Sequence, residues 1–450
     1  MSDSALKPAG GGGARWAAGL GAVVAVGLGA VVAAAGLVAA PVSSVGGQPV
    51  SRIGDVRLTG GDHAPLGDGV ALVMGPSMIS TPSQQYVDTV DSLFLQPHGF
   101  TGTAVALTTP ESPYNLAQSE IDGAQILTAA VQNQIAGGHV DAANPVVVFG
   151  YSQSAAFVTL AMQQLQAQGV PSDDVHFVLI GDPASPNGGW LTSLAAPGVN
   201  ITLPGANIPL GNPTPGDLYP TDVYTLEYDG YADHPHYPLN LLSLLNSYMG
   251  LVLEHTAYLG LTPDQIASAI PQETATDSLA NYYMIPSDTL PLLDPLRLIP
   301  VFGQPLYDLL EPDMRILVNL GYGNITDGWN QGLATTQTGD VFYLFPPDTN
   351  WADVSAALSS GASEGWSNAV ADLLNPNTYQ IPTLEDSPVL EPIIAAAFGA
   401  GIIPDPTVSS ISELVGGFLT AVSSSLVDPV AADFGLSADA LAPVLAGFGL

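Results

Sequence analysis

Short apolar runs alternate with longer mixed stretches through the first two-thirds of the chain. The runs at 70–75 (VALVMG), 103–109 (TAVALTT), 146–149 (VVVF), 175–180 (VHFVLI) and 222–228 (DVYTLEY) are rich in β-branched residues. Several are closed by Gly, Pro or Asp, which predicts strands. Stretches 116–135, 154–168 and 239–253 carry Ala, Gln, Leu and Ile; the first stops at Gly137-Gly138 and the second at Gly169 and Pro171, which predicts helices. Strands separated by helices of this length require right-handed crossovers and hence a mainly parallel sheet. Strands that are apolar almost throughout belong in a sheet covered by helices on both faces. The expected class is therefore α/β.

Both ends of the chain depart from this texture. Residues 16–40 contain neither a charge nor a proline and are long enough to span a bilayer core as a helix, with Lys7 and Arg15 ahead of them. This predicts a cytoplasmic tail at 1–15, a single-pass signal anchor at 16–40, a linker at 41–66 and a catalytic domain at 67–335 outside the cytoplasm. Val38-Ala39-Ala40 would suit signal cleavage, but Pro41 follows it directly. From 336 to 450 the pattern becomes a string of Ala/Leu/Val helices near 351–374, 388–400, 407–425 and 437–448. This helical extension reads as a lid, a small subdomain or a partly disordered appendix.

Charge and composition remove whole classes of function. Six basic residues stand against 41 acidic ones, for a net charge of −35, so phosphate neutralisation and nucleic-acid binding are excluded. There is no cysteine, hence no thiol nucleophile, thiolate metal site or disulfide. No nucleotide or redox cofactor is implied. His234-Pro-His236 beside Asp233 reads as a solvated turn rather than a metal ligand set.

The chemistry-bearing candidate is PVVVFGYSQSAAF at 145–157. A nucleophile elbow needs a buried strand, a tight turn that presents the serine, a helix directly behind it, and small residues two before and two after. Ser152, with Gly150, Ser154, Ala155 and Ala156, has that context. Gly361-Ala-Ser363-Glu-Gly365 fits the bare G-x-S-x-G pattern better but has no strand before it. A serine nucleophile needs a base and an orienting acid, in the chain order Ser, acid, His. His176 reads as a core residue of its strand, and His63, His98 and His139 precede the serine. That leaves His234, His236 and His255, of which His255 has room to fold back over Ser152. For the acid, the loop YTLEYDGYADHPHYPLN offers Asp229 and Asp233, with Asp182 an outside choice. An oxyanion hole would use the N–H of Gln153 and a donor from Ser77 or Met78 after the first strand.

These stretches together resemble the PE-PPE domain serine hydrolases of mycobacteria, a cutinase-like branch of the α/β-hydrolases. The resemblance rests on ALVMGPS (71–77), VVVFGYSQSAA (146–156), FVLIGDPASPNGG (177–189), YTLEYDGYADHPHYPLN (224–240), EHTAY (254–258) and YYMIPSDTLPLLDPLR (282–297). It implies Ser152 as nucleophile, Asp233 as acid with Asp229 as alternative, and His255 as base. Two departures stand out: Gly75-Pro76-Ser77-Met78 where the family carries Gly-Gly-Thr-Gly, and Glu254 directly before the histidine. A membrane segment in place of a PE or PPE module is similar to anchored members that transfer acyl chains between trehalose glycolipids. The implied activity is acyl transfer from a lipid or glycolipid donor to such an acceptor. The alternatives are hydrolysis of acyl esters by water, and a non-catalytic lipid-binding or scaffold protein of the envelope. No protein partner is implied.

Overall fold

Alternate residues of the central strands face opposite sides of one sheet, and each side has its own apolar layer. The computed structural model describes residues 63–113, 115–203, 208–380 and 387–407. Its strands are β1 (Val70–Val73), β2 (Thr103–Ala106), β3 (Val146–Tyr151), β4 (Val175–Ile180), β5 (Ile201–Leu203), β6 (Ile208–Leu210), β7 (Thr221–Leu226), β8 (Ile270–Pro271) and β9 (Ala280–Ile285). Val147, Phe149, Val178, Ile180, Tyr224 and Leu226 face one layer. Val146, Val148, Phe177, Leu179 and Val223 face the other. All six residues of each of β3, β4 and β7 are buried, as expected of strands covered on both sides.

Seven strands form the main sheet in the order β2-β1-β3-β4-β7-β9-β8. Every pairing in it is parallel except that of β8 with β9. β5 and β6 make a separate antiparallel pair. Helix α1 (Gln84–Val90) covers one face of the sheet. Helices α2 (Leu116–Ala136) and α3 (Gln153–Ala167) cover the other. From β1 the chain moves outward to β2, then returns to β3 on the opposite flank of β1. That reversal opens a crevice at the carboxyl ends of β1 and β3, where open α/β sheets bind ligands. Ser77 and Ser152 both follow strands that flank this crevice.

Among the further helices of the described residues are three long ones: α4 (Leu241–Leu253), α5 (Gly303–Asn319) and α6 (Trp351–Leu374). Neither β9 nor α5 was expected from the sequence pattern. Helix α7 (Leu390–Gly399) closes the described part and packs on the Tyr258–Gly260 turn. The described part of the 336–450 extension is thus docked on the α/β body through α6 and α7. The predicted anchor at 16–40 and the helices predicted at 407–425 and 437–448 lie outside the described residues, apart from Thr407. Among the described residues no helix is long and apolar enough to cross a membrane.

The rival serine motif has a packing explanation. Gly361 and Gly365 lie one turn apart on α6, where a Cβ would collide with Asp313 and with the Leu309 carbonyl of α5. The glycines let two helix backbones approach, and Ser363 merely donates to Ser359 O at 3.0 Å on an exposed turn. Ser363→Ala should therefore leave the melting temperature unchanged, and should not alter labelling of Ser152 by a serine-reactive probe. Gly365→Val should lower the melting temperature by several degrees in a thermal scan, because the clash is with backbone.

Candidate active site

Ser152 sits between strand and helix in a conformation that side chains rarely adopt. Its φ is +58° and ψ −116°, directly after β3 and directly before Gln153, the first residue of α3. Such strain persists only where the surroundings impose it. Here Ser152 N donates to Ile180 O at 3.1 Å, and Ala156 N donates back to Ser152 O at 3.0 Å. Ser154 Oγ accepts from Tyr151 N at 2.8 Å and donates to Tyr151 O at 3.0 Å, closing the turn. Position 150 favours glycine, since a Cβ there would press on the Ala155 backbone at 3.0 Å.

His255 reaches the serine from the turn after α4. Its Nε2 lies 2.7 Å from Ser152 Oγ, and its Nδ1 lies 2.8 Å from both carboxylate oxygens of Asp229. An ionised carboxylate only accepts, so Nδ1 carries the proton and Nε2 accepts from the serine hydroxyl. Asp229 is fully buried and fixed by further donors: Tyr258 OH at 2.8 Å and Tyr231 N at 3.0 Å. Tyr151 OH donates to the His255 carbonyl, and the Tyr231 ring packs edge-on against the imidazole at 4.6 Å. Gly181 leaves the space for this assembly. Its φ is +53°, and a Cβ there would crowd Tyr258, His255 and Asp229.

The expected acid, Asp233, is not at the histidine. The turn after β7 folds back on itself, with Asp233 N donating to Asp229 O at 2.6 Å and Asp233 Oδ2 accepting from Tyr228 N at 2.8 Å. The Asp233 carboxyl thereby braces Tyr228, whose φ is +66°. Burial pushes its pKa well above the ordinary carboxylate range, so it suits a neutral brace better than an ionised partner for imidazole. Asp229, the alternative, takes the place beside His255. Asp182 is also a turn residue, accepting from Ala184 N at 2.8 Å and Thr214 Oγ1 at 2.7 Å. His234 is buried with its pKa lowered to about 4 by desolvation, and its nearest acid is Asp340 at 3.8 Å.

The three expected oxyanion donors differ in what already engages them. Gln153 N–H is the first of α3 and has no intrahelical acceptor. The Gln153 side chain accepts from Ser77 Oγ at 2.7 Å and donates to Ser119 Oγ at 2.7 Å, tying the loop after β1 to helix α2. Met78, the third, has its N–H committed to Glu111 O at 2.8 Å within a turn where its φ is +73°. That hydrogen bond occupies the Met78 N–H, just as the bond to Gln153 occupies the Ser77 hydroxyl, and leaves the Ser77 N–H as the donor this loop can offer.

The sequence pattern of the PE-PPE domain matches residues 76–323, a span that contains Ser77, Ser152, Asp229 and His255. This chain belongs to the PE-PPE domain family. Among curated relatives, Esterase PE16 of Mycobacterium tuberculosis is 38% identical over 60% of this chain and 51% of its own length. Diacyltrehalose acyltransferase Chp2 of the same organism is 25% identical over 41% of this chain and 53% of its own. The chain spans about half the length of the first curated relatives it matches, 52%, 53% and 51%. A cutinase-like protein from Cryptococcus sp. aligns with 17% identity over 38% of this chain and 82% of its own, at a TM-score of 0.25, too low to bear on the fold.

This PE-PPE domain also buries acids that take no part in the Ser152–His255–Asp229 relay. Glu111 and Glu120, behind the oxyanion side, and Glu254, beside His255, are each pushed up to about 8 by burial. A folded-state pKa above the unfolded value means that the native state holds these protons more tightly. Their contribution is fully present below about pH 4.5 and is lost as pH rises through about 8. Thermal unfolding should therefore show a falling midpoint from pH 6 toward pH 9, and Glu111→Gln should flatten that fall. An unchanged slope in Glu111→Gln would show that this acid is not the source.

Proposed function

We propose that this protein is a serine acyl-transfer enzyme that acts on fatty-acyl esters, with a trehalose-type envelope glycolipid as acyl acceptor. The observation that carries this reading is the unbroken relay from Ser152 Oγ through His255 to Asp229. His255 takes the serine proton as Oγ attacks the ester carbonyl. Gln153 N–H and the Ser77 N–H would supply the donors for the developing oxyanion. His255 then returns the proton to the leaving alcohol, an acyl-enzyme forms, and an incoming hydroxyl activated by the same imidazole releases the acyl group.

The identity of that hydroxyl separates the two versions of the activity. Similarity to Chp2, named a diacyltrehalose acyltransferase, favours a sugar hydroxyl; similarity to PE16, named an esterase, favours water. An apolar recess lined by Leu239, Phe342, Tyr343, Leu344, Phe345 and Pro347 opens where α4 begins. Leu241, Leu245 and Tyr248 continue it as an exposed stripe along that helix, a surface suited to acyl chains. In the cell the domain would work outside the cytoplasm, held at the membrane by residues 16–40.

Fluorophosphonate labelling with peptide mapping tests the chemistry, and a single adduct on Ser152 is expected. No adduct on a folded sample would leave only a lipid-binding role. With an acylated trehalose donor, growth of a more highly acylated trehalose product supports transfer, while free fatty acid alone selects the esterase.

A further inference from the structure

At the amino ends of the strands, opposite the serine, three histidines surround one buried carboxylate. Asp222, the second residue of β7, is 1% exposed. His176, the second residue of β4, places Nε2 at 2.8 Å from Asp222 Oδ2. His63, which precedes β1, places Nδ1 at 3.3 Å from Oδ1. His98, from the Gln96–His98 turn, places Nδ1 at 3.7 Å from Oδ2.

Two of the outer nitrogens are already engaged. His63 Nε2 donates to the Leu279 carbonyl at 3.0 Å, and His98 Nε2 lies 2.7 Å from Tyr224 OH. A carbonyl only accepts, so neutral His63 carries its proton on Nε2, and its Nδ1 lone pair, beside the carboxylate, accepts from Asn281 Nδ2 at 3.1 Å, a bond that a bound metal ion would replace. Asn281 Nδ2 donates to Asp222 Oδ1 at 3.1 Å and holds that oxygen in place. Outer partners that fix tautomer and ring orientation in this way are what ligating histidines require.

We propose that this cluster is a site for a divalent transition metal of the zinc class. The ligands are His63 Nδ1, His176 Nε2 and an Asp222 oxygen, with solvent left to complete the tetrahedron. Bonds of about 2.0–2.1 Å at tetrahedral angles separate ligand atoms by about 3.3 Å. The ligand atoms of His63, His176 and Asp222 all lie within 4.8 Å of one another, so small side-chain adjustments admit the ion. Imidazole with one carboxylate suits zinc, whereas magnesium requires an oxygen-rich shell. Charge points the same way. The two described arginines are engaged elsewhere, Arg297 with Asp294 and Arg315 with Glu311, so among the described residues imidazoles are the bases that face Asp222. Binding displaces the proton of His176 Nε2 to solvent, and the ion would pin the chain entering β1 to the amino ends of β4 and β7.

The test uses the full, tag-free chain, stripped with chelator and titrated with Zn2+ alone, with Mg2+ as the control ion. One Zn2+ per chain is expected, with the unfolding temperature raised by about 5 °C at a hundredfold excess over Kd. His176→Ala and His63→Ala should each weaken Zn2+ binding at least about tenfold and remove the shift, while Mg2+ does nothing. His139→Ala, at an exposed position, should bind as the wild type does. Should His176→Ala fail to fold, His63→Ala decides, since its side chain is 21% exposed and lies at the margin of the core. A folded wild-type chain that takes up no Zn2+, or His63→Ala and His176→Ala variants that bind as tightly as wild type, would overturn the proposal in favour of a metal-free hydrogen-bonded cluster.

Discussion

Ser152→Ala is expected to lower ester turnover by about 10⁴-fold or more while leaving the fold intact. The rate falls because no other described hydroxyl meets His255 Nε2; only Ser152 Oγ stands at 2.7 Å. What survives is the contribution of the oxyanion donors and of binding. The fold survives because the Ser152 side chain makes no other hydrogen bond that holds the elbow. The turn is kept by backbone bonds to Ile180 and Ala156 and by the Ser154 side chain. Alanine keeps the backbone strain unchanged, so the cost is one histidine lone pair left without its donor, about 1 kcal/mol. The measurement is kcat/KM on a soluble acyl ester beside a thermal melt. A variant that kept a tenth of wild-type turnover would falsify the nucleophile assignment.

A second large effect separates two acids four positions apart. Asp229→Asn should cost about 10⁴-fold in kcat, since an amide beside Nδ1 can favour the tautomer that leaves Nε2 protonated and unable to take the serine proton. Asp233→Asn should cost less than about tenfold. Its carboxyl already favours the neutral form through burial, and an amide oxygen can accept from Tyr228 N as the acid does. The reverse ranking would move the orienting role to Asp233 and sink the geometric assignment.

The difference between these acids also shows how far the sequence could be read. The elbow was legible because everything it needs is contiguous: an apolar strand, Gly150, Ser152 and small residues behind it. The acid was ambiguous because the deciding event is a backbone reversal at Tyr228, and no spacing rule predicts that a tyrosine will take φ of +66°. Once the turn closes, the two carboxyls face different partners. Strand β9 escaped notice because ANYYMI mixes Asn and three large side chains without clean alternation. Helix α5 was hidden by Pro312 in its middle, a residue that ordinarily marks a helix boundary. The Met78 hydrogen bond to Glu111 was out of reach too, since it joins two loops separated in sequence. Among the described residues, the tail helices at 351–374 and 388–400 were legible from their apolar spacing, but not the surfaces they cover.

Gln153 performs two tasks, with its N–H at the head of α3 and its side chain holding Ser77. The groups proposed to hold the oxyanion are therefore tied together in the resting protein, braced through Ser119 to a 21-residue helix. An enzyme built this way has no need of a lipid surface to complete its catalytic geometry. Its rate on a soluble short-chain ester should rise smoothly with concentration, without the jump at the critical micelle concentration that marks interfacial activation.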